Sequence, residues 1–524
     1  MIDPTMFKNR KKLLTIGLFA LLSFNLQARE LSPVIQVQNG ELQGYREQGQ
    51  LKFQGIPYAE PPISERRWQE PVPKRQWGGK YYAGHLGNSC ATNSTLGGFS
   101  KLSDSEDCLY LNVYVPDDSS AQPLKYNYPV LFVIPGGGLQ TGSGDEYDAS
   151  YFTQKGIIVV TMNFRLGPFG FFYNPSLETS RATPVNLGLM DQQLALKWIN
   201  QNIHAFGGDP KNITIFGESA GGQSVAAHII SPLSKGLFQR AISASGPYHT
   251  DIKDLNDAKK VTQTIAKSLG CYGTPQQIST CLKSKPTEAF LSTEFAPLFS
   301  DGFYLDQTTL FHPYAVAFEK NQFNKVDLIS GYNQDEGTLF AGVFENEKGT
   351  KLDWQDYEQI LGIFYGKNAR QDIFANTIYP ANTDYTKQLA VDLGKYKFIC
   401  PIMRFNNVAS SKIPTYGYEF ADHTIPLYIQ PMSLPHGAYH TSELMYLFKD
   451  FHGATGNVQQ LTSTQKQLSE KMLSYFSNFI KTGNPNAKGL TEWSRYNAKS
   501  QSSLQFQPSS AQRISNLNQK WNCR

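Results

Sequence analysis

Ile213-Thr214-Ile215-Phe216-Gly217-Glu218-Ser219-Ala220-Gly221-Gly222, continuing through Gln223 to Ile230, decides the fold. A short β-forming run enters a glycine-flanked serine, and the segment beyond it reads as a helix. A G-x-S-x-G between a strand and a helix is a nucleophile elbow. The turn is so tight that side chains two positions either side of the serine would collide, so Gly217 and Gly221 are needed there. The hydroxyl then stands above the sheet edge, with the positive end of the helix aimed at it. Five residues alone would also fit an ordinary strand–helix turn; the strand before and the helix after favour the elbow.

Other apolar runs share this punctuation. Val130 to Ile134 ends at Pro135-Gly136-Gly137-Gly138, Ile157 to Phe164 at Arg165, and Val326 to Ser330 at Gly331. Continuous rather than alternating hydrophobicity suits strands covered on both faces. Between them, Met190, Leu194 and Trp198 recur at helical spacing within Met190 to Ile203. Leu468, Met472, Leu473, Phe476, Phe479 and Ile480 mark a second amphipathic helix, stopped by Gly483 and Pro485. Strands alternating with helices predict an α/β fold around a large, mostly parallel sheet. Residues 250–320 and 340–400 carry helical patterns without strong strands and read as insertions over one end of the sheet, within one domain spanning 29–524.

An elbow serine needs three further things: oxyanion donors, a general base and an acid to orient that base. Amides converge on one oxygen only where no side chains intervene, so Gly137 and Gly138 are the expected donors, with Ala220 after the nucleophile. A phosphate loop is the bland alternative for the glycines, but no G-x-x-x-x-G-K-[ST] is present. Candidate bases after Ser219 are His312, His423, His436, His440 and His452; candidate acids are Asp335 and Glu336, just after the strand near Ser330. Spacing alone leaves both choices open. His436 and His440 are four apart, as a metal pair on a helix would be, but Pro435 and Gly437 oppose a helix and no HExxH occurs. No metal or cofactor is expected.

The 524 residues carry 48 Lys plus Arg against 44 Asp plus Glu, with 40% hydrophobic and 13% aromatic residues. That excludes a disordered chain and gives no electrostatic footprint for nucleic acid. Lys8, Arg10, Lys11 and Lys12 precede the apolar run Leu13 to Phe24 and the small-residue site at Ala28, the pattern of a signal peptide over 1–28. Its removal takes away four basic residues and Asp3, leaving a formal charge of +1. No later stretch reaches the ~18 apolar residues of a membrane span. The chain therefore reads as exported, periplasmic or secreted. Six cysteines then read as three disulfides. Neighbourhood favours Cys90–Cys108 and Cys271–Cys281, leaving Cys400–Cys523 to tie down the C-terminus.

From Phe53 to Cys523 the chain resembles the type-B carboxylesterase/cholinesterase family of α/β-hydrolases, in particular its exported bacterial members. The resemblance rests on Phe53 to Pro62, Glu106-Asp107-Cys108-Leu109-Tyr110-Leu111-Asn112-Val113, Asn163 to Gly167, Asn186 to Gln192 and Phe216 to Gly222. Gly331 to Gly337 resembles the block holding the triad acid, which implies Glu336. Gly437 to Leu444 resembles the block holding the base, which implies His440 and makes His436 a bystander. The same likeness implies supporting roles for Glu218, Ser245 and Glu443, the cysteine pairing above, a buried structural ion pair between Arg165 and Asp191, and helical insertions over an active-site gorge. It implies a serine ester hydrolase acting on small-molecule esters through an acyl-enzyme. A lipase of longer acyl chains and a non-catalytic adhesion relative are the alternatives. Two departures stand out: Pro135 replaces the usual His or Tyr, and residues 91–107 lack the tryptophan with which cholinesterases bind choline. Leu291, Phe295, Phe299 and Phe303 are candidate pocket walls, and Asn93 and Asn212 begin glycosylation sequons.

Overall fold

The computed structural model describes residues 29–94, 101–117, 127–177, 184–248, 252–299, 302–365, 380, 382–453, 456–508 and 510–523. The predicted signal segment and Thr95 of one sequon lie outside them. The strands are β1 Leu31–Val37, β2 Gly40–Glu47, β3 Gln50–Pro57, β4 Lys80–Tyr82, β5 Tyr110–Pro116, β6 Tyr128–Ile134, β7 Ile158–Met162, β8 Gly208–Glu218 and β9 Arg240–Ala244. They continue with β10 Lys253–Asp254, β11 Tyr304–Leu305, β12 Asp327–Asn333, β13 Thr415–Phe420, β14 Ser503–Gln507 and β15 Ser510–Ile514. All but β10 and β11 join one sheet in the order β1-β2-β3-β5-β7-β6-β8-β9-β12-β13-β14-β15, with β4 beside β2.

From β7 through β14 every neighbouring pair is parallel. Four of these strands, β6, β7, β8 and β12, are the ones the apolar runs predicted, whereas β9, β13 and β14 were not among those runs. β7 is buried at all five positions because helices cover both faces. The N-terminal flank β1-β2-β3-β5-β7 and the last pair β14-β15 are antiparallel, so the sheet is mixed. That flank pairs through hairpins such as the Gln48-Gly49 turn, where both residues take positive φ. Its first two strands mix exposed and buried positions, a weaker signal than the continuous central runs, while β3 and β5 are buried almost throughout.

The helix predicted near Met190 runs Leu187–Asn202, and the one near Leu468 runs Ser463–Thr482. The second begins with a capping box between Thr462 and Gln465 and ends at Gly483 in the left-handed region, where a side chain would be strained. Two aromatic-rich cores lie on the two faces of the central strands. Phe132, Ile215 and Trp198 belong to one; Val133, Phe216, Phe448 and Phe476 belong to the other. The expected helical insertions are Leu255–Ser268 and Pro275–Ser284 in the first segment, and Gly337–Lys348, Trp354–Tyr365 and Tyr385–Asp392 in the second. Three disulfides form, Cys90–Cys108, Cys271–Cys281 and Cys400–Cys523.

Candidate active site

Strand β8 delivers Ser219 to the sheet's carboxyl edge, and the helix Ala220–Ile230 leaves at once. Ser219 sits at φ 57°, ψ −121°, a strained conformation for a non-glycine residue. The turn is held by its N–H, which donates to Ala244 O of β9 at 2.9 Å, while its carbonyl accepts from Gln223 N at 2.8 Å. A Cβ on Gly217 would stand 2.2 Å from the Gly221 carbonyl carbon, and one on Gly221 would stand 2.2 Å from Ile134 O. Both glycines are therefore steric requirements, one for the turn and one for packing the helix on β6.

The loop after β6 passes over the nucleophile: a Cβ on Gly136 would lie 3.6 Å from Ser219 Cβ. Gly137 (φ 101°) and Gly138 (φ 65°) turn the loop through the left-handed region. Gly136 N donates to the Tyr147 hydroxyl at 3.1 Å, so a backbone bond holds the loop directly after Pro135. Among the described residues, the N–H groups of Gly137 and Gly138 find no protein acceptor, and Ala220 begins its helix, where an N–H has none within the helix. Three donors thus go unused among the described residues, and Ser219 is 8% exposed.

Glu336 follows β12, and His440 lies in the irregular segment before the short helix Leu444–Leu447. The ring Nδ1–H donates to Glu336 Oε2 at 2.5 Å; the other carboxylate oxygen accepts from Ser245 Oγ at 2.7 Å and Asn333 N at 2.8 Å. Asp335, the rival acid, instead accepts from Ala438 N at 2.8 Å and faces His423 at 3.3 Å. His436 Nε2 bonds Ile425 O at 2.6 Å, away from the centre. His440 Nε2 lies 3.3 Å from Glu218 Oε1, beside the nucleophile; among the described residues no hydrogen bond joins it to Ser219 Oγ in this conformation.

Two more buried carboxyls crowd the ring. Burial, with Glu443 and Glu336 nearby, pushes the Glu218 carboxyl well above the usual range, and among the described residues neither of its oxygens has a hydrogen-bond partner. Burial and the Glu336 charge push Glu443 up to about 8, although Asn333 Nδ2 donates to it and the Tyr418 hydroxyl lies 3.5 Å away. Keeping such groups neutral avoids stacking like charges in a low-dielectric site.

The sequence reading missed several contributors. Phe340 and Phe398 flank the imidazole at ring-centre distances of 5.1 and 4.6 Å and stack on each other at 5.4 Å. Phe398 is presented by Leu393–Ile399, a π-helical stretch with no local motif to announce it. Asn333, which spans Glu336 and Glu443, did lie within the acid block. Arg165 and Asp191 form a buried bidentate pair at 2.8 and 2.9 Å. Leu291, Phe295 and Phe299 line a cleft with Gln140, Thr92 and Asn93, whereas Phe303 packs in the core, edge-on to Phe171. Among the described residues no group of three or more His, Cys, Asp or Glu could hold a metal ion.

A sequence profile of the carboxylesterase family matches residues 31–523. The para-nitrobenzyl esterase of Bacillus subtilis (strain 168) is 33% identical over 483 residues, covering 90% of this chain and 94% of that protein. The acetylcholinesterase of Danio rerio is 30% identical over 518 residues, covering 86% and 80%. A solved PNB esterase structure superposes with a TM-score of 0.77 at 30% identity, covering 93% of this chain and 98% of that one. With a nucleophile-elbow serine at the edge of a mixed α/β sheet and these likenesses over nearly its whole length, the chain belongs to the carboxylesterase family and is a carboxylesterase of the α/β-hydrolase fold.

Proposed function

We propose that ester hydrolysis here is a two-step acyl transfer through Ser219, His440 and Glu336. The observation that carries this reading is the 2.5 Å bond from His440 Nδ1–H to Glu336, formed beside the elbow that presents Ser219. With Nδ1 protonated, Nε2 is the acceptor. Rotation of the Ser219 side chain brings Oγ to Nε2; such bonds are commonly loose until substrate binds. Nε2 takes the Oγ proton as Oγ attacks the ester carbonyl, and Gly137, Gly138 and Ala220 N–H groups receive the oxyanion, each worth about 3 kcal/mol of barrier. The C–O bond to the alcohol breaks, and His440 returns the proton to the leaving oxygen. Water then attacks the acyl-serine by the same route, releasing the carboxylic acid and restoring Ser219.

Glu336 holds the ring tautomer and stabilises the imidazolium, with Ser245 orienting it; Glu218 and Glu443 stay neutral around it. Residues 91–107 carry no tryptophan, so a quaternary ammonium would lack that cation–π platform. This weighs against choline esters as substrates. Residues 1–28 act as a removable export signal and 29–524 as one catalytic domain. Three disulfides suit an oxidising compartment, and no helix among the described residues is long and apolar enough to cross a membrane.

The test is Ser219→Ala. Wild-type protein is expected to react covalently with a fluorophosphonate probe and to turn over a p-nitrophenyl ester; the variant should do neither, losing at least about 10⁴-fold in kcat. Full turnover by the variant would refute the mechanism.

A further inference from the structure

Glu336 and His440 are 104 residues apart, and one hydrogen bond does not hold two loops in register. Four others do. Asn333 Nδ2 donates to Tyr439 O at 2.8 Å, Asp335 N to Ala438 O at 3.0 Å, Ala438 N to the Asp335 carboxylate at 2.8 Å, and Thr338 Oγ1 to His436 O at 2.7 Å. Asp335 and Tyr439 form an isolated parallel bridge, so the residues just before the acid and just before the base are zipped like a two-rung ladder.

Asp335 makes one of these rungs with its side chain. Its Oδ2 reaches the Ala438 amide because Gly437 has no side chain: a Cβ there would stand 2.3 Å from that oxygen, and Gly437 takes φ 58°. The carboxyl points away from the imidazole and therefore takes no part in proton transfer. It lies one residue from Glu336, and its partner Ala438 lies two residues from His440. His423 faces the same oxygen at 3.3 Å from the segment after β13. Glu419 of β13, itself bonded to Lys520 and Gln505, and Lys520 are the further charged groups acting on it.

We propose that Asp335 is a positioning residue of the hydrolytic centre: by accepting the Ala438 N–H it fixes the course of the 436–440 loop and so sets the His440 ring against Glu336. This rests on the Ser219–His440–Glu336 mechanism. A misplacement of ~1 Å in such a ring is enough to cost about 10²-fold in rate. The role needs an acceptor oxygen at the right place more than it needs charge, so an amide should serve and a displaced carboxylate should not.

Asp335→Ala, Asp335→Asn and Asp335→Glu are compared with wild type and His440→Gln in p-nitrophenyl acetate hydrolysis, with thermal melts alongside. Asp335→Ala is expected to lose about 10- to 100-fold in kcat with KM within twofold, and Asp335→Asn to recover most of that loss. Asp335→Glu keeps the charge and a carboxylate but moves the oxygen by one methylene; it should lose kcat with a melt close to wild type, which keeps the test decisive if the alanine variant folds poorly. Retention of kcat by both the Ala and Glu variants, failure of Asn to rescue, or an effect on KM alone would overturn the proposal. Turnover by His440→Gln would sink the mechanism itself; an inactive His440→Gln with silent Asp335 variants would sink only the positioning role.

Discussion

Replacing Glu443 by Gln tests the buried-carboxyl electrostatics directly. Glu443 is fully buried, and burial together with the neighbouring Glu336 raises its carboxyl from 4.5 to about 8. Between those two values the folded protein holds a proton that the unfolded chain has released, so folding stability falls as pH rises from 4.5 and levels off above 8. At about 1.4 kcal/mol per pH unit the whole window is worth about 5 kcal/mol, of which about 3 kcal/mol is already lost at pH 7. Gln cannot ionise, yet its carbonyl still accepts the Asn333 Nδ2–H that now reaches Oε2. A chain of this length has an unfolding entropy of about 1 kcal/mol/K, so 5 kcal/mol is about 5 °C in Tm. Scanning fluorimetry of wild type and Glu443→Gln from pH 5 to 9 should show the variant gaining about 4 °C relative to wild type, with most of the gain in place by pH 8. Tm curves that stay parallel within 1 °C would show that Glu443 does not hold its proton as reasoned.

Gly221→Ala places a Cβ 2.2 Å from Ile134 O and 3.0 Å from Pro135 O, backbone atoms of β6 and its loop that have no slack. A destabilisation of about 3 kcal/mol is expected, together with lost turnover as Ala220 is displaced; thermal melts and ester assays report both. Removing the C-terminal tie by Cys400→Ser with Cys523→Ser opens a separation of 123 residues, for which the chain-entropy account gives about 5 kcal/mol. The double variant should melt several degrees lower, and reducing agent should shift wild type in the same direction by at least as much.

The two halves of the site were unequally legible. Gly217, Ser219 and Gly221 could be read from one segment because the elbow is local: a strand, a tight turn and a helix impose their steric demands on neighbouring residues. The glycine loop after β6 was legible for the same reason. Acid and base were not, since nothing in Asp335-Glu336 or in His436 and His440 says which side chain turns inward. Family likeness pointed to Glu336 and His440, and the structure turns Glu336 onto the imidazole and Asp335 onto the Ala438 amide.

What the sequence alone determined is the set of covalently local requirements: continuous apolar strands for a twice-covered sheet, glycines where backbones meet, and cysteines close enough to bridge. Phe340 and Phe398 against His440, the buried Glu218 beside that ring and the zipped loops around Asp335 belong to tertiary structure alone. Each depends on contacts between segments tens to hundreds of residues apart. There, burial and hydrogen-bond satisfaction across the whole fold, not the pattern of any one stretch, select among side chains of the same chemical type.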